Sequence, residues 1–332
     1  THGAGAAGLL LTRFLIRRVF WAVWLFFVVT LITYVVFYFI PGSPIRITSF
    51  GITDAQMAER ITKQLHLDVP VYQQYWIFVW NMIRHQSLGY SYHDGTSVRW
   101  IVGQDARVTA SLVLGAALFW LLIAIPIGIL SALKPRSLVD RAAMVFVLIG
   151  VSAPTVWVGL IFAYIFGFKL GWTPIANYCN FFPDSSGSCS GPARWAYHLL
   201  LPWATLTFLF AAYYARMIRS TVIETATEDY VRTARAKGAP TRRVVTHHVL
   251  RNSLLPIVTM LGMDVGRALV GAVLIENVFT LHGLGLELVT ATNRDDVPVV
   301  VGIVLVVAVA VIICNFLVDV AYAWLDPRIR LD

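Results

Sequence analysis

The sequence predicts an all-α polytopic membrane protein with six transmembrane helices, both termini cytoplasmic, and a sizeable extracytoplasmic segment after the first helix. Three observations carry this. Of 332 residues, 58% are hydrophobic and 13% charged, whereas a soluble chain carries about 25% charged residues. Several apolar stretches reach the roughly 18 residues that mark a helix crossing a bilayer. Lys and Arg crowd the connections on one side of those stretches, as cytoplasmic loops do.

The elements follow in order. Residues 1–12 are Gly/Ala-rich, start without Met and read as a leader outside the fold. The first span, Val19–Ile40 within segment 13–40, has 22 residues and rises about 33 Å as a helix, enough for a core of roughly 30 Å. It is too long for a cleaved signal, and Pro41-Gly42-Ser43-Pro44 ends it without a small-x-small cleavage pattern. The hydrophilic segment 41–107 follows. The core, 108–332, holds Val108–Ala132, Arg141–Phe168, His198–Met217, Leu254–Phe279 and Val297–Trp324, with a polar hairpin at 218–256. Pro126 and Pro154 each remove a helix hydrogen bond, so each is either a kink or a statically packed proline.

Orientation comes from counting bases. Arg13, Arg17, Arg18, Lys134, Arg136, Arg141, the eight bases from Arg216 to Arg251, Arg328 and Arg330 fall on one side, sixteen in all. The opposite short loops hold Lys169, Arg194 and Arg294. The basic-rich side is cytoplasmic, which places both termini there. The net charge of +8 fits this anchoring better than nucleic-acid binding, because Trp and Tyr gather at span ends like an interfacial belt.

Cysteine usage agrees. Cys179 and Cys189 share an outside loop rich in Pro, Ser and Gly. They either close a disulfide worth about 2.5–3 kcal/mol by chain entropy or remain free thiols. Cys314 is an inert packed thiol of the last span. His247-His248 lacks Cys or carboxylate neighbours, so no metal site is expected. Nor does any glycine run form a GxxxxGK[ST] phosphate loop. No nucleophile and base pair up as in an enzyme.

Both polar segments are patterned. Asp54–His66 places Ala55, Ala58, Ile61 and Leu65 near helical spacing, and Val71–Ile83 repeats the pattern with aromatic residues. Such helices lie in the headgroup region or form a platform for a soluble partner. Inside, Glu224–Lys237 is helix-permissive, with acids early and bases late. Gly238 suits a left-handed C′ position, Pro240 blocks continuation, and Thr241 can cap a second helix through Arg251. Ala234, Ala236, Gly238 and Ala239 keep the tip thin enough to enter a groove on another protein. From these residues alone, an amphipathic hairpin lying on anionic lipid fits equally well.

Tyr230-Val231-Arg232-Thr233-Ala234-Arg235-Ala236-Lys237-Gly238 resembles the EAA loop of ATP-binding-cassette (ABC) importer permeases, and His248–Pro256 continues it. Arg232 and Thr233 stand where the general consensus has Glu and Ala, which matches the peptide-importer form better. Phe14–Pro44 is similar to the first span of the B-type subunit of dipeptide and oligopeptide importers. Leu65–Pro70 with Gln74-Tyr75 resembles its outer-loop signature, with His66 where Gly is usual. Gly150–Pro154, Gly271–Phe279, Gly283–Gly285 and Asp326–Arg330 follow in the family's order.

That resemblance implies a type I ABC importer permease fold in the cell membrane, importing di- or oligopeptides by alternating access. It implies a heterodimer with a second homologous permease, two cytoplasmic ATPase subunits and an extracytoplasmic substrate-binding protein. This chain would bind no cofactor, with ATP and Mg held by the ATPases. Tyr230, Val231, Arg232, Thr233, Ala234, Arg235, Ala236, Lys237, Gly238 and Ala239 would form the coupling segment. Similar permeases handle nickel, haem or glutathione.

Asp264, Arg267, Glu276 and Asp319 fall inside the last two spans, where charge is costly and faces protein or water. They are candidates for the translocation pathway, with structural pairing of Asp264 and Arg267, three residues apart, as the rival reading. An ion-coupled secondary transporter working alone would use such carboxylates as relays, but no convincing internal repeat supports it.

Overall fold

A computed structural model describes residues 2–39, 70–85, 87–182, 189–253 and 255–325. The expected Asp54–His66 helix, the Leu65–Val69 signature, the Pro41–Pro44 break and the Asp326–Arg330 motif lie outside these residues. The described residues are helical, with only isolated bridges of extended chain. Among the described residues, five helices are long and apolar enough to cross a membrane, or six spans if one bent pair is counted as a crossing.

Helix α1 covers His2–Phe39. The Gly/Ala-rich stretch expected to be a leader is therefore continuous with the first span: it is rich in Ala and Leu, strong helix formers, and holds no proline. Helix α2, Val71–Arg84, packs on the upper half of α1. Tyr75 meets the Thr30 hydroxyl at 3.0 Å, and the Tyr34 hydroxyl donates to Gln74 at 3.1 Å. The opposite face exposes Tyr72, Trp76, Trp80 and Ile83, a stripe suited to the lipid interface.

Helix α3 spans Val98–Leu133, starting ahead of the expected Val108. Its polar first turns are helical because buried Val98 and Val102 pack against the C-terminal helices. Pro126 is accommodated without breaking this helix. Pro154 behaves differently. It ends α4, Leu138–Ser152, and starts α5, Thr155–Phe162, which runs on through a π-helical stretch Ala163–Lys169. The two legs meet at a 107° bend.

Helix α6, Pro192–Ala226, is longer than the expected His198–Met217. Pro192 occupies the first turn, after Gly191 at φ 107°. Its 35 residues rise about 52 Å, well beyond a bilayer core. Two short elements follow, α7, Asp229–Ala236, and α8, which joins Thr241–Arg243, a π-helical Val244–Val249 and Leu250–Ser253. Helix α9, Leu255–Phe279, matches the fifth expected span, and α11, Val297–Leu325, the sixth. Between them lies α10, Leu284–Asn293, in a stretch read from sequence as a simple loop.

Lipid tails are as apolar as side chains, so close packing rather than the hydrophobic effect holds such helices together. Small residues supply it. A Cβ on Gly128 would sit 2.7 Å from Ile218 Cβ and 2.9 Å from the Ala215 carbonyl, so α3 and α6 nearly touch. Gly115 similarly lies beneath the Trp203 ring, whose indole N–H donates to the Ser111 carbonyl at 3.0 Å. Trp120 stacks on Phe210 with centroids 4.5 Å apart. Gly150 brings α4 against Ala212, and Gly262 brings α9 against Val318 of α11.

Candidate functional site

The hairpin between α6 and α9 is built from its cap inward. Helix α7 ends in a paired-hydrogen-bond turn: Gly238 N–H donates to the Arg235 carbonyl at 3.0 Å, and Ala239 N–H to the Ala234 carbonyl at 3.2 Å. This turn requires a left-handed residue, and Gly238 supplies φ 79°. Pro240 then accepts from the amides of Arg243 and Val244, so the second arm begins on Thr241 itself rather than after it. The first arm is also shorter than expected. α6 stops at Ala226, where the Thr227 hydroxyl donates to the Glu224 carbonyl at 2.7 Å, and a new helix begins after Glu228.

Both arms are fastened by few contacts. Val231, Val244 and Val249 are buried against the foot of α6, and Asn252 donates to the Tyr230 hydroxyl at 2.8 Å. Arg232, Thr233, Arg235, Ala236, Lys237, Gly238, Pro240, Arg242 and Arg243 are exposed. Ala234 and Ala239, expected at the thin tip, are half-buried and turned toward the core, because the cap folds the chain back over them. The exposed tip is Ala236–Gly238, and no atom lies within 4 Å of a Cβ placed on Gly238.

A carboxylate at the foot of α6, which the sequence reading passed over, holds this end together. Asp140 accepts from Arg219 through Nε at 2.7 Å and Nη2 at 3.0 Å, from the Arg136 amide at 2.8 Å and from the Ser131 hydroxyl. It thereby links α3, the turn after it, α4 and α6. The signal was present: Ser137-x-x-Asp140 is a capping-box spacing, and Ser137 does accept the Asp140 amide at 3.2 Å.

The intramembrane charges separate into three places. Asp264 is buried, accepting from Arg267 at 2.9 Å and from the Tyr214 hydroxyl at 2.9 Å. The Arg267 side chain is 70% exposed, on a face of α9 shared with exposed Met263, Val270 and Leu274. Glu276, expected on the pathway, is fully enclosed. It accepts from Thr109 at 2.6 Å, Gly285 N–H at 2.7 Å and Leu286 N–H at 3.0 Å, and so caps α10. Asp319 pairs with Arg18 of α1 at 3.0 Å. Both carboxylates thus have partners within the bundle, while Arg267 has the most exposed side chain of the four.

On the opposite end, Asp296 is buried between the segment preceding α3 and the start of α11, accepting from Ser91 and from the Tyr92 amide at 3.1 Å. Burial, then the Asp296 charge, pushes the Tyr92 hydroxyl up to about 12. Cys179 and Cys189 are joined by a disulfide, while Cys314 is free and half-buried.

Residues 124–331 match the family described as binding-protein-dependent transport system inner membrane component, and residues 11–113 match the N-terminal part of the same kind of component. The di/tripeptide transport system permease protein DppB of Pseudomonas aeruginosa is 38% identical over 96% of this chain and 98% of its own length. The dipeptide transport system permease protein DppB of Escherichia coli K12 is 35% identical over 96% and 98%, and the probable D,D-dipeptide permease DdpB of the same strain 36% over 91% and 92%.

Proposed function

Because this chain belongs to the family of binding-protein-dependent transport system inner membrane components, and is thus a permease subunit of an ABC importer rather than an enzyme, we propose that it forms half of a translocation pathway for di- and oligopeptides. The substrate class rests on the three relatives above, each a di- or tripeptide permease. The other half is a second, homologous permease. Two cytoplasmic ATPases hold ATP and Mg, and an extracytoplasmic binding protein delivers peptide.

The observation that carries the coupling role is the exposed tip Ala236–Gly238, held at the end of a helix of 35 residues that rises past the bilayer. Pushing on that tip moves α6 and α9, because Val231, Val244 and Val249 bind it to the foot of the bundle. Alternating access needs contacts that differ between two states, and an ATPase groove closing on ATP provides them. The basic-rich side is cytoplasmic, with both termini. Arg267, the exposed charge on α9, faces the water-filled route, since a guanidinium facing lipid is costly.

The test is purification in mild detergent followed by reconstitution. A second permease and two nucleotide-binding chains should accompany the protein, and uptake of a labelled dipeptide should require ATP and the binding protein. Uptake driven by a proton gradient without ATP would reject the reading.

A further inference from the structure

The disulfide loop holds a third group whose chemistry the transport role does not use. His198 stands in the second turn of α6, with Nε2 3.7 Å from Cys189 Sγ. Its other nitrogen, Nδ1, lies 3.2 Å from the Asn177 carbonyl. A carbonyl only accepts, so Nδ1 carries the proton and Nε2 presents a bare lone pair. That lone pair points at a disulfide sulfur, which has no hydrogen to give. Cys179, Cys189 and His198 keep their ligand atoms within 4.8 Å of one another.

We propose that, once the disulfide is reduced, Cys179, Cys189 and His198 form a three-ligand site for a thiophilic cation such as Zn²⁺, with water in the fourth position. A dithiol reductant supplies two electrons and two protons: the S–S bond breaks, two thiols form, and the reductant leaves as its own disulfide. The cation then displaces both thiol protons to solvent and binds two thiolates and the neutral imidazole.

Three features suit this. Tetrahedral zinc with Zn–S of about 2.3 Å and Zn–N of about 2.05 Å separates S from N by about 3.6 Å, beside the 3.7 Å found here. The Nδ1–H bond to a backbone carbonyl is the outer support that metal-binding imidazoles use to fix tautomer and ring orientation. The loop also stays closed without its covalent link. Asn180 N–H donates to the Cys189 carbonyl at 3.2 Å and Gly191 N–H to the Asn180 carbonyl at 2.8 Å, so the cysteine Cα atoms remain near their 4.9 Å spacing. Cys179 is buried, and half-buried Cys189 and His198 leave an entry for the ion.

The experiment uses the chain in its purified complex, with Cys314→Ala so that this chain contributes only two thiols, and every signal is read against the same complex carrying Cys179→Ser/Cys189→Ser, which subtracts the partners. After reduction and removal of the reductant, Co²⁺ is titrated in as the spectroscopic probe. A thiolate-to-cobalt charge-transfer band should saturate at one ion per chain, and the oxidised protein should show none. His198→Gln should weaken binding at least about tenfold, and the Cys179→Ser/Cys189→Ser pair should abolish this chain's band. In unmutated protein, Zn²⁺ should slow alkylation of the reduced loop thiols by at least a similar factor, a readout independent of any variant's folding. No band after reduction, undiminished affinity in His198→Gln, a band equally strong in the double serine variant, or unprotected loop thiols would each overturn the assignment.

Discussion

Thr109 and Glu276 act as one cap across two helices: the threonine hydroxyl donates to the carboxylate at 2.6 Å and accepts the Leu284 amide at 2.9 Å, while Glu276 takes the next two amides. The first three donors of α10 are thus met from α3 and α9. Glu276→Ala leaves these buried groups unmet and should lower unfolding free energy by about 3 kcal/mol. Glu276→Gln, which keeps an acceptor, should lose less. Denaturation of the purified protein followed by tryptophan fluorescence measures both.

Gly238 has free space around it but a left-handed backbone. Gly238→Asn, which tolerates that conformation, should keep most peptide-stimulated ATPase activity in the reconstituted complex. Gly238→Arg should reduce it more than about tenfold, matching the cost of a few kcal/mol for breaking a packed contact, while membrane insertion stays normal. Activity equal to wild type in Gly238→Arg would remove the tip from the coupling step.

Asp140 and Arg219 form a bidentate pair at the foot of α6. Asp140→Asn and Arg219→Gln should each depress stimulated ATPase activity, and the double variant should be no worse than the poorer single one. A double-mutant cycle with additive losses would mean that the residues act separately.

Gly262 meets Val318 so closely that an added Cβ would lie 2.1 Å from its Cγ2. Gly262→Ala should cost about 1–3 kcal/mol through overpacking. Val318→Ala in the same chain should recover most of it, read as thermal unfolding in detergent.

Arg267→Gln should raise the peptide concentration needed for half-maximal transport, beyond the stability it costs by taking the ion pair from buried Asp264, which thermal unfolding of the same variant measures. An unchanged concentration dependence would place Arg267 outside the route.

Apolar run length made the positions of α1, α9 and α11 legible, since each run is bounded by polar or helix-breaking residues. Helix extent was less so. Val98–Arg107 and Arg219–Ala226 are helical because they continue a packed helix, and their charged residues Arg99, Asp105, Arg107, Arg219 and Glu224 hide this from a reading of apolar run length. The Gly238-x-Pro240 turn was readable because only one backbone conformation satisfies it. The surroundings of Glu276 were hidden for a different reason. A carboxylate in a span reads as functional until the helix it caps, α10, is known to exist. Asp140 carried a local spacing signal, but its partners Ser131 and Arg219 come from other helices and leave no trace in neighbouring residues.

The corner at Pro154 leaves two legs, α4 at 15 residues and α5 with its π-helical continuation, each rising only about 22 Å, short of a roughly 30 Å hydrocarbon layer. Leu138, Leu148, Trp157 and Phe168 are nevertheless exposed along these legs. Acyl chains beside this flank must splay or shorten to wet them, so thick, sterol-stiffened bilayers should suit the transporter less well than thin, compliant ones.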